Sequence, residues 1–263
     1  MPKKALVVDN DFFFVEFLKD LLQKRGYEVV KAYDGKEGLS KLGEGAVDIV
    51  FVDMVMPKID GNQMIKVIRH RFPDAPFPIV AISGTFIEQM DQIDTTGADF
   101  FIVKGPLEQM SAHVESFMDR VERNGFSPEE ADRFIEPGEM YPRQTTSELM
   151  EDLNYQRFVL ESVGVGIVIV DKDARIISVN PMALELAGCS FEEVLSTPVT
   201  SMFPGSQKPH LIGALKAVAQ DPSLKSTSVE MTVVARRLRA IVSLLRMEAN
   251  IGGWVIVLVE NEG

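Results

Sequence analysis

Cysteine is nearly absent from this chain. Its 263 residues contain one, Cys189, so no internal disulfide can form. A reducing compartment suits such a chain, and the expectation is a cytoplasmic protein. Positive charge is also scarce. Lys and Arg number 27 against 39 Asp and Glu, for a net charge of −12. That excess argues against broad contact with nucleic acid or an anionic membrane surface. No apolar run is long enough to span a bilayer, and Met1-Pro2-Lys3-Lys4 leads straight into a strand-length run without the apolar core of a signal peptide. With 46% apolar and 25% charged residues, the chain can fill ordinary cores, and its length favours two domains over one.

The first half alternates strand and helix patterns. Strand runs stand at Ala5–Val8, Tyr27–Lys31, Ile49–Val52, Pro78–Ile82 and Asp99–Val103. Helical spacing follows each of them: Phe12 to Leu22, Asp34–Leu42 with Gly43 and Gly45 beyond it, 62–71, Ile87–Thr95, and Leu107–Glu122. Five βα units with short connections predict a doubly wound five-stranded parallel sheet with helices on both faces. In such a sheet, function collects at the carboxyl ends of the strands. Here those ends read Asp9-Asn10-Asp11, Asp53, Ser83-Gly84-Thr85 and Lys104-Gly105-Pro106. Any one of these alone is an ordinary cap, turn or solvated residue. Together they place carboxylates, a hydroxyl and an ammonium along one edge. Clustered carboxylates suit Mg²⁺, and a carboxylate held near it can attack a phosphoryl donor in line.

The residues Val7-Val8-Asp9-Asn10, Val52-Asp53-Met54-Val55-Met56-Pro57 with Asp60-Gly61, Ala81-Ile82-Ser83-Gly84 and Phe101-Ile102-Val103-Lys104 resemble the CheY-like receiver domain of two-component response regulators. The resemblance covers nearly all of 1–123. It implies that Asp53 is the phosphoacceptor and that Asp9, Asp53 and the Val55 main-chain carbonyl are Mg²⁺ ligands. It further implies that Lys104 contacts the phosphoryl group, with Ser83 and Phe101 as switch residues. Two departures stand out. Asn10 occupies the place of a second acid, so it coordinates weakly or through water. Gly105 separates Lys104 from Pro106, which moves any cis bond one place along. Val55, an apolar residue beside the acceptor, cannot orient water, so a long-lived phosphoryl group is expected.

Residues 124–147 carry Pro128, Pro137, Gly138 and Pro142 and read as a linker. From 148 to 164, Leu149, Leu153, Gln156, Leu160 and Val163 recur at alternating spacings of four and three, a short coiled-coil connector that would dimerise the chain. Strands then dominate 165–263: Val165–Asp171 and Arg175–Val179, short helices at Met182–Ala187 and after Ser190, a longer helix at Lys208–Gln220, then strands at Ser226–Ala235, Arg239–Met247 and Gly253–Glu260. This α+β plan closes on a five-stranded antiparallel sheet. The runs Glu161–Asp171, Ile177–Ala183, Gly188–Glu193 and Gly253–Val259 resemble a PAS domain. His210 has no supporting pattern for a haem, Cys189 sits on the wrong helix for a flavin thiol, and Trp254 reads as a sheet anchor.

These resemblances imply two-component signal transduction by a phosphoprotein. A histidine kinase phosphorylates Asp53, and the receiver relays a conformational or dimerisation change to the PAS domain, with homodimerisation through the PAS domain and connector. Nucleic acid and membrane are not expected partners. No output enzyme, helix-turn-helix or kinase box follows the last strand. The alternatives are the regulatory part of a hybrid histidine kinase, or a PAS ligand sensor with a vestigial receiver.

Overall fold

The computed structural model describes residues 2–73, 75–84, 97–124, 158–221, 223–247 and 250–261. The chain divides into two compact units, Met1–Thr146 and Ser147–Gly263. The helix expected at Ile87–Thr95, the linker from 125 onward and the connector through residue 157 lie outside the described residues. Residues 158–162 are helical.

The first unit contains β1 (Lys4–Val8), α1 (Phe12–Lys24), β2 (Glu28–Ala32), α2 (Gly35–Glu44), β3 (Ile49–Asp53), α3 (Gly61–Arg71), β4 (Ile79–Ser83), β5 (Phe100–Val103) and α4 (Leu107–Asn124). The five strands form one sheet in the order β2-β1-β3-β4-β5, and every pairing is parallel. Strands β1, β3 and β4 are apolar along almost their whole length because both faces are covered. On one face, Ala5, Val7, Ile49, Phe51, Val80 and Ile82 meet Val15, Leu18 and Leu22 of α1 and Met110, Val114 and Phe117 of α4. Alternation then turns Leu6, Val8, Val50 and Val52 to the opposite face. There Gly38 of α2 lies so close to Val8 and Met64 that an added Cβ would stand 3.0 and 2.7 Å from them.

Caps set the helix starts. Asp11, Asp34 and Asp60 each accept a hydrogen bond from the first turn of α1, α2 and α3. Asp60 and Gln63 complete a capping box. These caps correct two of the expected boundaries. Asp34 stands before α2 rather than in it, and Gly43 remains helical, with the chain leaving the helix at Gly45.

The second unit contains β6 (Gly166–Asp171), β7 (Ile176–Val179), α5 (Pro181–Ala187), α6 (Phe191–Val194), a 3₁₀ turn (Val199–Met202), α7 (Lys208–Gln220), β8 (Ser226–Val233), β9 (Arg236–Met247) and β10 (Asn250–Glu260). Its antiparallel sheet has the order β7-β6-β10-β9-β8. Val168, Val170, Ile256, Leu258, Leu238, Ala240 and Val242 of this sheet pack against Leu186, Val199, Phe203, Leu211, Leu215 and Val218. Asn180 ties the entry of the unit together. Its side chain caps α5 through Ala183 N–H, accepts from Ile167 N–H at 2.7 Å, and donates to the carbonyls of Leu160 and Val165.

The β8–β9 connection differs from expectation. A loop was expected near 236–238, but β9 begins at Arg236 and the turn is the pair Val234-Ala235. Both residues have positive φ, 49° and 65°. Such a two-residue turn is ordinarily built from Asn or Gly, so the sequence carries no turn signal there. Val234 rests against Gly188, where a Cβ would stand 2.9 Å from its Cγ2.

Candidate functional site

Strands β1, β3, β4 and β5 run parallel, so their carboxyl ends meet at one edge. Each end delivers one of the expected residues. Asp9 follows β1 and is 1% exposed. Its backbone N–H donates to Ala32 O at 3.1 Å, and its Oδ1 accepts from Asp11 N–H at 2.8 Å. Asp53 ends β3 and is 4% exposed. Its carboxylate accepts from the Val55 N–H. Ser83 ends β4 and is buried, and its carbonyl accepts from Lys104 N–H at 2.7 Å, fixing the loop after β5.

Lys104 joins the two carboxylates. Its Nζ lies 2.7 Å from Asp9 Oδ2 and 3.1 Å from Asp53 Oδ1. A third contact was not legible in the sequence. Nζ sits 4.6 Å from the centroid of the Phe14 ring, a cation–π arrangement. Phe14 falls at a core position of α1, and the helical spacing accounts for it without any role at the pocket. The bonds that aim α1 there come from Asp11, whose Oδ1 accepts from Phe13 N–H at 2.9 Å and Phe14 N–H at 3.4 Å. Thus the third residue of Asp9-Asn10-Asp11 is a helix cap, and Asn10 is exposed beside the pocket. Phe12 stacks on Tyr33 at 6.0 Å, and Phe13 is 82% exposed.

Burial dominates the electrostatics. Desolvation pushes the Asp53 carboxyl up to about 6, more than the Lys104 ammonium lowers it, and Asp9 raises it further. Burial raises Asp9 as well, with Lys104 working in the opposite direction. Gly61 is essential to the geometry behind Asp53. An added Cβ would stand 2.4 Å from Asp53 O and 2.7 Å from Met54 Cα, so α3 starts directly against the end of β3. Phe101 is buried on the face opposite Phe100 and Ile102, paired in register with Ala81. The Gly105–Pro106 bond is trans.

The donor set fits a hard divalent cation. Every candidate ligand is an oxygen, and the two carboxylates already converge on a single cation, the Lys104 ammonium. Among the described residues no group of three or more His, Cys, Asp or Glu side chains gathers for a metal, so the pocket supplies two acids and not three.

Residues 5–115 match the family model of the response regulator receiver domain, and residues 160–256 match that of a PAS fold. The chain is a receiver domain followed by a PAS fold. Response regulator MprA of Mycolicibacterium vanbaalenii is 29% identical over 120 residues, covering 46% of this chain and 52% of its own length. The alkaline phosphatase synthesis transcriptional regulatory protein PhoP of Bacillus subtilis is 33% identical over 126 residues, covering 46% and 51%. The chain therefore spans about half the length of the curated relatives it matches, and the matched half is the receiver. Among solved structures, response regulator TrrA of Thermotoga maritima, in complex with Mg²⁺–BeF, is 30% identical, covering 43% of this chain and 97% of that one, with a TM-score of 0.38. In the PAS unit, His210 is exposed on the first turn of α7, and Cys189 is half-buried after α5. Trp254 is half-buried on the core side of β10, and its Nε1–H donates to Leu215 O at 3.1 Å. No helix among the described residues is long and apolar enough to cross a membrane.

Proposed function

We propose that this chain is a cytoplasmic two-component response regulator, phosphorylated on Asp53 by a histidine kinase. The observation that carries the reading is the convergence of two buried carboxylates, from the ends of β1 and β3, on the ammonium of Lys104. In this reading residues 1–123 act as the receiver, 124–147 as linker and 148–164 as connector. The unit from 165 to 263 receives the change and, with the connector, forms the homodimer contact.

An Asp53 carboxylate oxygen attacks the phosphorus of the donor phosphohistidine. The new P–O bond forms as the donor P–N bond breaks, and the electron pair leaves with the imidazole. Asp9, Asp53 and the Val55 carbonyl would hold Mg²⁺, with Asn10 weakly or through water. When bound, the metal neutralises charge on the phosphoryl oxygens. Lys104, already poised between the two acids, exchanges its carboxylate contacts for phosphoryl oxygens. The Ser83 hydroxyl donates to the phosphoryl group, and Phe101 repacks with the β4 end. A two-state receiver of this kind passes the change on through its linker.

The test is binding of beryllofluoride with Mg²⁺, read with solution mass. Wild-type protein takes up the mimic and changes its oligomeric state. Protein that never binds the mimic sinks the reading.

Two details of the pocket give further expected results. Asn10→Asp adds the missing acid and tightens Mg²⁺ by about tenfold, because affinity follows ligand charge; calorimetric titration showing equal affinity would refute the account of Asn10. Val55 is 39% exposed at the mouth of the pocket and has no polar atom in its side chain. The phosphoryl group therefore persists, and Val55→Gln, which can orient water, shortens its lifetime by about tenfold. An acid-quenched decay that is equally fast in both proteins would exclude this role.

A further inference from the structure

The PAS unit has an open recess of about 310 Å³ that the phosphoryl chemistry does not use. It borders the packed core. Leu211, Ala214 and Val218 of α7 face that core and are buried. Ile212, Lys216, Ala219 and Gln220 come off the adjoining face of the same helix and line the recess. Val199, Leu215 and Trp254 complete its wall. The indole has one polar atom, and that N–H is already committed to Leu215 O. What the ring offers the recess is therefore apolar surface. Ile212 is a large apolar side chain left 40% exposed there.

Of its polar lining residues, Thr200 and Gln220 are neutral, and the exposed Lys216 supplies the charge. Among the described residues Lys216 takes part in no ion pair. An apolar, aromatic-walled recess of this size with one unpaired cation at its mouth suits a small ligand that has a flat hydrocarbon body and an anionic end. We propose that this recess binds a small aromatic carboxylate, its ring against Trp254 and its carboxylate at Lys216. Such a ligand would touch α7, β10 and the 3₁₀ turn at once, so it couples occupancy to the packing of helix on sheet.

Trp254 is the only tryptophan of the chain, so its emission reports the recess directly. The probes are benzoate, phenylacetate and 3-phenylpropanoate, titrated into the full chain, with phenylacetamide as the neutral counterpart. At least one acid shifts the emission saturably. Lys216→Ala weakens that binding about tenfold, since a charge-assisted contact is lost, and the amide binds more weakly by a similar factor. Ala219→Leu fills the recess and removes the response, with circular dichroism checking that the variant is folded. No saturable shift with any of the three acids overturns the proposal. So does an amide that binds as tightly as the acid, a wild-type affinity in Lys216→Ala, or an unchanged response in folded Ala219→Leu. Beryllofluoride uptake at Asp53 is independent of all these outcomes.

Discussion

Asp53→Asn abolishes phosphoryl uptake and at the same time stabilises the unmodified receiver. The first effect follows from the nucleophilic role proposed for Asp53. The second follows from the cost of holding that nucleophile ionised in a buried pocket. Folding raises the Asp53 carboxyl from the ordinary carboxylate range to about 6. The folded state thus binds the proton more tightly than the unfolded chain does. Asp53 costs nothing below the unfolded value, near pH 4. It destabilises progressively as pH rises through about 6. A rise of this size corresponds to about 2–3 kcal/mol at neutral pH. The value of about 6 already includes the attraction of Lys104, so the neutral amide, which escapes this cost, leaves a net gain of about 2 kcal/mol. For a domain of this size that is roughly 6–10 °C at pH 7, shrinking toward zero near pH 4. Thermal melts of both proteins at the two pH values check it. A variant that melts lower than wild type at pH 7 would show that the ion pair with Lys104 outweighs burial.

Gly253→Ala unfolds the PAS unit and leaves the receiver working. Gly253 has φ of 148°, a region open in practice to glycine alone. It also pairs with Asp171 of β6 and sits at a bulge in the β10–β9 pairing, between Ile251 and Gly253. A Cβ there would stand 1.9 Å from Val170 O and 2.8 Å from Asp171 Cα. Both are backbone atoms of the neighbouring strand, so no side chain can swing aside. The cost is about 4 kcal/mol or more, which a small domain seldom survives. Gly213→Ala is the matched control. It lies in α7 with open space around it, and alanine there gains about 0.5–1 kcal/mol of helix propensity. Circular dichroism and proteolysis of both variants, with beryllofluoride uptake as the receiver readout, separate the two. A folded Gly253→Ala protein would mean that β10 can shift its register.

The two predictions differ in how far the sequence alone could have led to them. Asp53 announces itself. A run of β-branched and aromatic residues ends in one acid, followed by Pro57 and Gly61, and the same edge gathers Asp9, Ser83 and Lys104 from three other strands. Parallel strands must share their carboxyl ends, so a one-dimensional pattern was enough to bring these residues together. Gly253 gave no such sign. Beside Gly252, it reads as a strand beginning, because the clash that requires glycine comes from Val170, more than eighty residues earlier.

The two folds and the candidate polar residues along one edge of the parallel sheet could be read from the order of residues, since each depends on local periodicity and on the fixed geometry of parallel strands. The three-dimensional packing was needed to show that Phe14 lies under Lys104, that Asp11 serves as a cap, and that Val234-Ala235 turns with positive φ against Gly188. It also decided that burial, more than the ion pair, sets the state of the Asp53 carboxyl. The cause is the same in each case. Local pattern fixes which face of an element is apolar, whereas which side chains touch across elements, and how completely water is excluded between them, depends on packing between residues far apart in the chain.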